Sequence, residues 1–370
     1  MMSLIIGVGV VLVLAILYMI FRIGNLIGVA KGKPPLDGVD EDTNNLNGWL
    51  MLAFLVFSLV GFFWYSFAHI KDFELPVASK HGVVTDDLFW LTMWVVVISF
   101  TIIFIGLFWF TFAYRYDKNR RAEFISDNHK LELVWTIVPA VVLALLIFGG
   151  LEAWSDITGK ASDDAEVIEV IGQQFAWTIR YPGVKDNQLG RQNYKLIDNQ
   201  GNEFGLDLTD KNSFDDFKAL ELHIPVGHEV ALKIRAKDVL HSVFLPHFRV
   251  KMDAVPGIQT NFKFTATHTT EQMREQTGNP NFNYEMACTE ICGQGHFSMR
   301  LLVVVETKAQ YDAWKAAQTP WLKQNPEYLN RVPAELREVA QIKAGFPMEA
   351  STSTVADKAP VSTESKSTLN

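Results

Sequence analysis

The stretch CTEICGQGHFSM (residues 288–299) spaces Cys288, Cys292, His296 and Met299 at intervals of four, four and three. It holds both cysteines of the 370-residue chain. Four chemistries compete for such a set. A disulfide here would close a very small loop, add little stability and leave His296 and Met299 unexplained. A redox dithiol is more often C-x-x-C. Zinc accepts two Cys and two His, but it has little use for a thioether and the usual close C-x-x-C pairs are missing. Thiolate, imidazole and thioether together are soft donors that select copper. A mononuclear blue site uses one Cys, two His and a weak axial Met, so the second cysteine is surplus unless two metals share both thiolates. That arrangement requires a second histidine upstream, and LHSVFLPHFRVKMDAVPG (240–257) offers His241 and His247. His241 is read as the end of a strand-like run, where a loop-end ligand would sit.

These residues need a scaffold. The spacing of the set would line one face of a helix, but Gly293 and Gly295 weaken a helix and the β-branched run Val303–Val305 follows at once. The segment is therefore expected to be a loop between two strands. Around it the sequence alternates in short runs: AEVIEVIGQQFAWTIRYPG (165–183) as strand, LELHIPVGHEVALKIRA (220–236) as two strands around Pro225-Val226-Gly227, then NFKFTAT (261–267) and RLLVVVE (300–306). Short strands with Gly/Pro turns predict an all-β sandwich or barrel. The polar stretch 184–219 reads as a long surface loop with a short helix near Asp215. KAQYDAWKAAQ after Glu306 reads as helix, followed by a Pro-interrupted amphipathic segment to about Ile342. Residues 350–370 carry almost nothing to bury and read as disordered.

Before residue 155 the pattern is different. Four apolar runs, Leu4 to Phe21, Trp49 to Phe67, Leu88 to Tyr114 and Leu133 to Ala153, approach or exceed the roughly 20 residues that span a bilayer core about 30 Å thick. Trp64, Tyr65, Trp90, Tyr114, Tyr116, Trp135 and Trp154 gather at their ends as an aromatic belt. The absence of polar faces excludes buried helices of a soluble protein. The first run is expected to be retained and not cleaved, since no basic stretch precedes it and Arg22 follows it. Arg115, Lys118, Arg120, Arg121 and Lys130 lie between runs three and four, and Arg22, Lys31 and Lys33 between runs one and two. The positive-inside rule places these loops in the cytoplasm, and the N-terminus and everything after Ala153 outside. Asp and Glu outnumber Lys and Arg by 21 to 15 between Ser155 and Glu306. That balance suits basic protein partners and argues against nucleic acid.

With these motifs in place, the chain resembles subunit II of the haem–copper cytochrome c oxidases. C-x-E-x-C-x-x-x-H-x-x-M at 288–299, HS-x-x-x-P … K-x-DA-x-PG at 241–257 and LE-x-x-WT-x-x-P at 131–139 carry the resemblance, which covers roughly residues 85 to 306. It implies a core of two transmembrane helices, matched by runs three and four, followed by an extracytoplasmic cupredoxin-like barrel or sandwich; runs one and two depart from the family and bring the expected transmembrane α-helical region to four helices. The implied divisions are an additional helix pair (1–84), a subunit II-type hairpin (85–155), a cupredoxin domain (160–306), a helical extension (307–349) and a tail (350–370). It implies a binuclear copper centre, CuA. Cys288 and Cys292 would bridge two coppers, His241 and His296 would bind one each, and Met299 and the backbone carbonyl of Glu290 would be weak axial ligands. The Glu290 side chain would hold Mg²⁺ or Mn²⁺ shared with the catalytic subunit, a hard carboxylate for a hard cation.

Electron uptake from cytochrome c would fall on Trp177 or Phe175, in a QFAW segment where relatives carry Q-W-x-W. Glu132 would stand at the mouth of a proton path. His247 is read as a surface residue or one that backs the metal ligands, and Lys251 and Asp253 as polar residues near the catalytic subunit with no fixed role. No C-x-x-C-H occurs, so the donor is expected to be a separate cytochrome c or a domain of a partner. The expected function is electron delivery to a haem–copper subunit that reduces O₂ and pumps protons in a bacterial plasma membrane. The alternatives are the copper subunit of a membrane nitric oxide reductase, or a membrane-anchored copper or zinc module without electron transfer.

Overall fold

The computed structural model describes residues 2–31 and 41–347. Lys33 and the 350–370 stretch expected to be disordered lie outside the described residues. The chain divides into two compact units: residues 1–74 with 89–144, and residues 75–88 with 145–370.

The first unit is helical. The chain forms α1 (Met2–Ala30), α2 (Glu41–His69), α3 (Lys80–Ala113) and α4 (His129–Thr158), each long and apolar enough to cross a membrane. Within this unit α2 packs on α3 through rings: Trp49 on Phe112 at 4.8 Å, Phe54 on Phe108 at 5.2 Å and Phe62 on Phe100 at 5.4 Å between centroids. In a bilayer such contacts act by dispersion and shape, because lipid tails are as apolar as the helices. At one end of this seam Arg115 donates to Asn45 (2.9 Å) and Asn44 donates to the Tyr116 carbonyl (2.8 Å). The helices outrun the apolar runs. α3 starts at Lys80 and not Leu88, because Ser79 caps it: its Oγ accepts from the Gly82 N–H at 3.1 Å and donates to the Phe248 carbonyl at 2.7 Å.

The second unit is a sandwich of two five-stranded sheets. The strands are β1 (Glu166–Gln173), β2 (Ala176–Tyr181), β3 (Phe217–Ala219), β4 (Leu222–Pro225), β5 (Glu229–Ala236), β6 (His241–Leu245), β7 (Val250–Ala254), β8 (Thr260–Thr265), β9 (Tyr284–Cys288) and β10 (Arg300–Glu306). One sheet runs β3-β2-β1-β5-β8 and the other β4-β10-β9-β6-β7. Pairing is antiparallel except for β1 with β5 and β4 with β10. The 165–183 stretch, read as one strand, is a tight hairpin of β1 and β2 turning at Gln174-Phe175. Pro225-Val226-Gly227 does separate two strands, but β4 and β5 lie in different sheets. Ile168, Val170, Ile234, Val243, Tyr284, Met286 and Val303 are among the side chains that fill the space between the sheets.

The reading of 184–219 as a surface loop is corrected. Phe204, Leu206, Leu208 and Phe214 are buried in a second core. Its other half comes from the C-terminal extension, which follows α5 (Thr270–Thr277) and comprises α6 (Lys308–Ala316), α7 (Trp321–Gln324) and α8 (Arg337–Ala344). Trp321, Leu322, Tyr328, Val332 and Ala340 supply its apolar surface. In place of a helix near Asp215 there is a 3₁₀ turn at Lys211–Ser213.

A buried ionic cluster lies on this side of the first sheet. Glu169 accepts from Arg180 Nε at 2.6 Å and from Arg235 Nε at 2.8 Å. Arg180 Nη1 donates to Asp216 at 2.5 Å and to the Gly190 carbonyl at 3.0 Å.

Candidate metal centre

The loop 289–299 joins β9 to β10 at the end of the second sheet. Its two ends are tied together: the Cys288 N–H donates to the Met299 carbonyl (3.1 Å), and the Thr289 N–H donates to the Ser242 carbonyl (3.1 Å). Gly293 adopts φ +134°, a conformation that side chains rarely take. A Cβ at Gly295 would stand 2.5 Å from Phe175 Cγ, so glycine lets the β1–β2 turn lie directly on the loop. Gln174 completes that contact by donating from Nε2 to the Cys292 carbonyl at 2.5 Å.

This framework brings six residues together. Cys288 Sγ lies 3.8 Å from His241 Nδ1 and 3.2 Å from the Glu290 carbonyl oxygen. Cys292 Sγ lies 3.6 Å from His296 Nδ1 and 3.9 Å from Met299 Sδ. Donor atoms of His241, Cys288 and Cys292 all fall within 4.8 Å of one another. His241 opens β6, where it had been read as ending a strand, and it pairs across to Ala254. Both thiols are free, which removes the disulfide reading. Cys288, Cys292, Met299 and His241 are buried. Burial first, and the Cys288 thiol next, push the Cys292 thiol up to about 11. Two thiols, two imidazoles, a thioether and a carbonyl therefore converge, a donor set that fits soft metal ions.

Asp238 was missed in the sequence. Its Oδ1 accepts from His241 Nε2 at 2.9 Å, and its Oδ2 accepts from the Gln174 N–H at 2.7 Å. Burial pushes this carboxyl up, but the Gln174 N–H, the His241 ring and the Val239 N–H outweigh it and hold the group below the ordinary carboxylate range. A carboxylate on one ring nitrogen orients the other toward a metal. The available signal was its position three residues before His241.

The remaining expected residues are spread more widely. Trp177 is buried (6% exposed), with its ring edge-on to His241 at 5.9 Å. The exposed aromatic of the hairpin is Phe175, at 39%. Ile291 and Phe297 on the loop are each 85% exposed. Glu290 is half-buried. Asp253 accepts from Ser242 Oγ at 2.7 Å, and Lys251 lies 3.8 Å from it. His247 is half-buried: its ring packs edge-on to Phe282 and Tyr284, and burial lowers its pKa. Glu132, in the other unit, sits in the first turn of α4, 3.3 Å from His129.

Two family profiles match the chain. Residues 166–307 match cytochrome c oxidase subunit II, periplasmic domain, and residues 72–153 match cytochrome c oxidase subunit II, transmembrane domain. Among relatives, the alternative cytochrome c oxidase subunit 2 of Bradyrhizobium diazoefficiens is 31% identical over 248 residues, covering 66% of this chain and 83% of the relative. Cytochrome c oxidase subunit 2 of Thermostichus vulcanus is 33% identical over 204 residues, 53% of this chain and 47% of the relative. Among solved structures, the periplasmic domain of subunit II of cytochrome oxidase of Bradyrhizobium japonicum aligns at 22% identity and a TM-score of 0.29, over 43% of this chain and 94% of that one. The two profiles divide the chain where its helices give way to the sandwich, and the Bradyrhizobium diazoefficiens relative is matched over most of its length: the chain belongs to the cytochrome c oxidase subunit II family.

Proposed function

We propose that this chain is the electron-accepting copper subunit of a haem–copper terminal oxidase. It would take electrons singly from a cytochrome c and pass them to the catalytic subunit that reduces O₂ and pumps protons. The observation that carries this reading is the convergence of Cys288, Cys292, His241, His296 and Met299, with sulfur-to-donor separations of 3.6–3.9 Å. Bound there, a pair of copper ions would supply a one-electron relay. Cys288 and Cys292 would bridge the pair, His241 and His296 would hold one ion each, and Met299 and the Glu290 carbonyl would complete the two sites.

The protein's own part is to hold these donors still. Strands β6 and β9 fix His241 and Cys288, Asp238 fixes the His241 ring, and the β1–β2 turn covers the loop. A rigid donor set would let the bound metal change charge with little rearrangement of the residues that hold it. Phe175, exposed on that cover, is the proposed contact for the electron donor, while Trp177 packs behind His241. The Glu290 carboxylate would hold Mg²⁺ or Mn²⁺ at the catalytic subunit, and Glu132 would open a proton path.

The basic residues within 22–33 and 115–130 of the sequence support a position of the sandwich outside a bacterial plasma membrane. The 85–155 hairpin would form the family's helix pair, with 1–84 packing on a further membrane subunit. The 160–306 domain would carry the copper, and the 307–349 extension would brace it. Elemental analysis of the full-length chain should find two copper ions per chain, with a seven-line mixed-valence electron resonance pattern. One copper, or zinc, would overturn the reading. Phe175→Ala should slow stopped-flow reduction by cytochrome c, whereas Trp177→Phe should leave it unchanged.

A further inference from the structure

A cavity of about 360 Å³ lies in the second unit between the first turn of α3, the last turns of α4, and strands β5 and β8. Its size falls in the range of about 300–1,000 Å³ typical of small-molecule sites. Two cations, Lys80 and Lys263, and two carboxylates, Asp156 and Glu229, line it together with His81 and Phe264. Both ring nitrogens of His81 are buried without a hydrogen-bond partner among the described residues. Lys263 Nζ stands 3.5 Å from Asp156 and 3.9 Å from Glu229, too far for good hydrogen bonds, and donates at 3.3 Å to the Lys160 carbonyl. Glu229 Oε1 accepts from the Ser162 N–H at 2.6 Å, so the incompletely paired groups are the His81 ring and the Lys263 ammonium.

The two helices add opposite poles. The N-terminal end of α3 is the positive end of its dipole, and the C-terminal end of α4 is the negative end of its own. Lys80 stands at the first and Asp156 near the second. The formal charges of the four titratable walls cancel. An anionic ligand would leave one pole unmatched, whereas a group carrying a phosphate and an ammonium would match both. Beyond the cavity, α3 and α4 continue as membrane-length helices that begin with exposed apolar side chains, Val83 and Val84 on one and Leu151 and Trp154 on the other.

We propose that this cavity binds the headgroup of a zwitterionic phospholipid with a primary ammonium, its phosphate toward Lys80, Lys263 and His81 and its ammonium toward Asp156 and Glu229. The acyl chains would lie along α3 and α4. A primary ammonium is specified because carboxylates at this pole accept N–H hydrogen bonds, which a quaternary ammonium cannot give. The site is separate from the metal centre and does not depend on how that centre is read.

The full-length chain is purified in detergent and exchanged with equimolar phosphatidylethanolamine, phosphatidylcholine and phosphatidylglycerol. Native mass spectrometry then counts the lipid retained. Phosphatidylethanolamine should be retained about tenfold over each of the others, the worth of one charge-assisted hydrogen bond. Asp156→Asn should reduce that preference severalfold, and Thr85→Trp, which fills the cavity, should abolish it. Far-UV circular dichroism checks that each variant folds. Equal retention of the three lipids by the wild type would overturn the proposal, as would preference for the anionic lipid. So would an undiminished preference in a folded Thr85→Trp protein.

Discussion

Two clusters of polar side chains lie inside the same sandwich, one at a loop end and one on the face of a sheet. The ionic cluster pairs its charges within itself, although Asp216 Oδ1 is buried without a partner among the described residues. Glu169, Asp216, Arg180 and Arg235 are two acids and two bases, each within 2.8 Å of an opposite charge. The sulfur–imidazole cluster cannot do the same. Its members are almost all lone-pair donors, held 3.2–3.9 Å apart, and what they share is a preference for a cation. Charge complementarity within the chain marks a cluster as scaffold, whereas convergence of like donors marks a binding site. The scaffold lies close behind the site: Glu169 on β1 is three residues from Gly172, where an added Cβ would stand 2.9 Å from the His241 ring.

The comparison breaks most visibly at the loop. If the proposed function holds, Cys292→Ser should leave the fold intact and abolish binding of a copper pair, with electron uptake from cytochrome c falling at least about 100-fold; metal analysis and stopped-flow absorbance read both. Glu169→Ala should do the reverse. It leaves the buried Arg235 without a carboxylate and Arg180 with Asp216 alone, and should cost about 3–5 kcal/mol in unfolding free energy, while copper content at low temperature stays the same. Loss of metal in a folded Glu169→Ala protein would mean that the two clusters are not separable.

How far each cluster could be read from sequence follows the same division. Five of the six converging groups sit within residues 288–299, and a linear motif exposes them. His241 required only one further segment. The ionic cluster joins positions 169, 180, 216 and 235, which no local spacing connects. Phe204, Leu206, Leu208 and Phe214 were hidden for a related reason. They are buried by an irregular segment and a distant C-terminal extension, so neither helical nor strand period marks them. Trp177 was a candidate for electron uptake by its place in the QFAW segment alone, but β2 is covered on both faces and buries five of its six residues.

Acid should sharpen the contrast within the ionic cluster itself. Burial pushes the Glu169 carboxyl up, but two arginines outweigh it and hold it at about 2. Its contribution is complete above the ordinary 4.5 and is lost as pH falls toward 2, amounting to about 3 kcal/mol. Burial pushes Asp216 up to about 7, because it meets only Arg180 and the Gly190 N–H while Glu169 repels it. Here the sign is opposite: the contribution is complete below the ordinary 3.8 and is lost as pH rises toward 7. Thermal unfolding of the wild type should therefore show a melting temperature that drops from pH 4.5 to 7. Asp216→Asn should flatten that slope and leave the acid limb below pH 4.5 in place.

The smallest expected effect tests the residue that links the scaffold to the site. Asp238 accepts from the His241 ring and from the Gln174 and Val239 N–H groups, so it both orients a ligand and clamps a turn. Asp238→Asn separates these roles. Asn retains an oxygen for one backbone donor, but it loses the charge that favours the proton on His241 Nε2, and its amide can donate in the opposite sense. The imidazole then has less reason to present a lone pair at Nδ1 toward Cys288. Copper affinity should weaken about tenfold, while unfolding free energy should change by less than about 1 kcal/mol, since the carboxylate is 33% exposed. Asp238→Ala should lose the turn clamp as well and lower both. Equal affinity in wild type and Asp238→Asn would make Asp238 a turn clamp alone, and the orientation of His241 would then rest on its burial between Gly172 and Trp177.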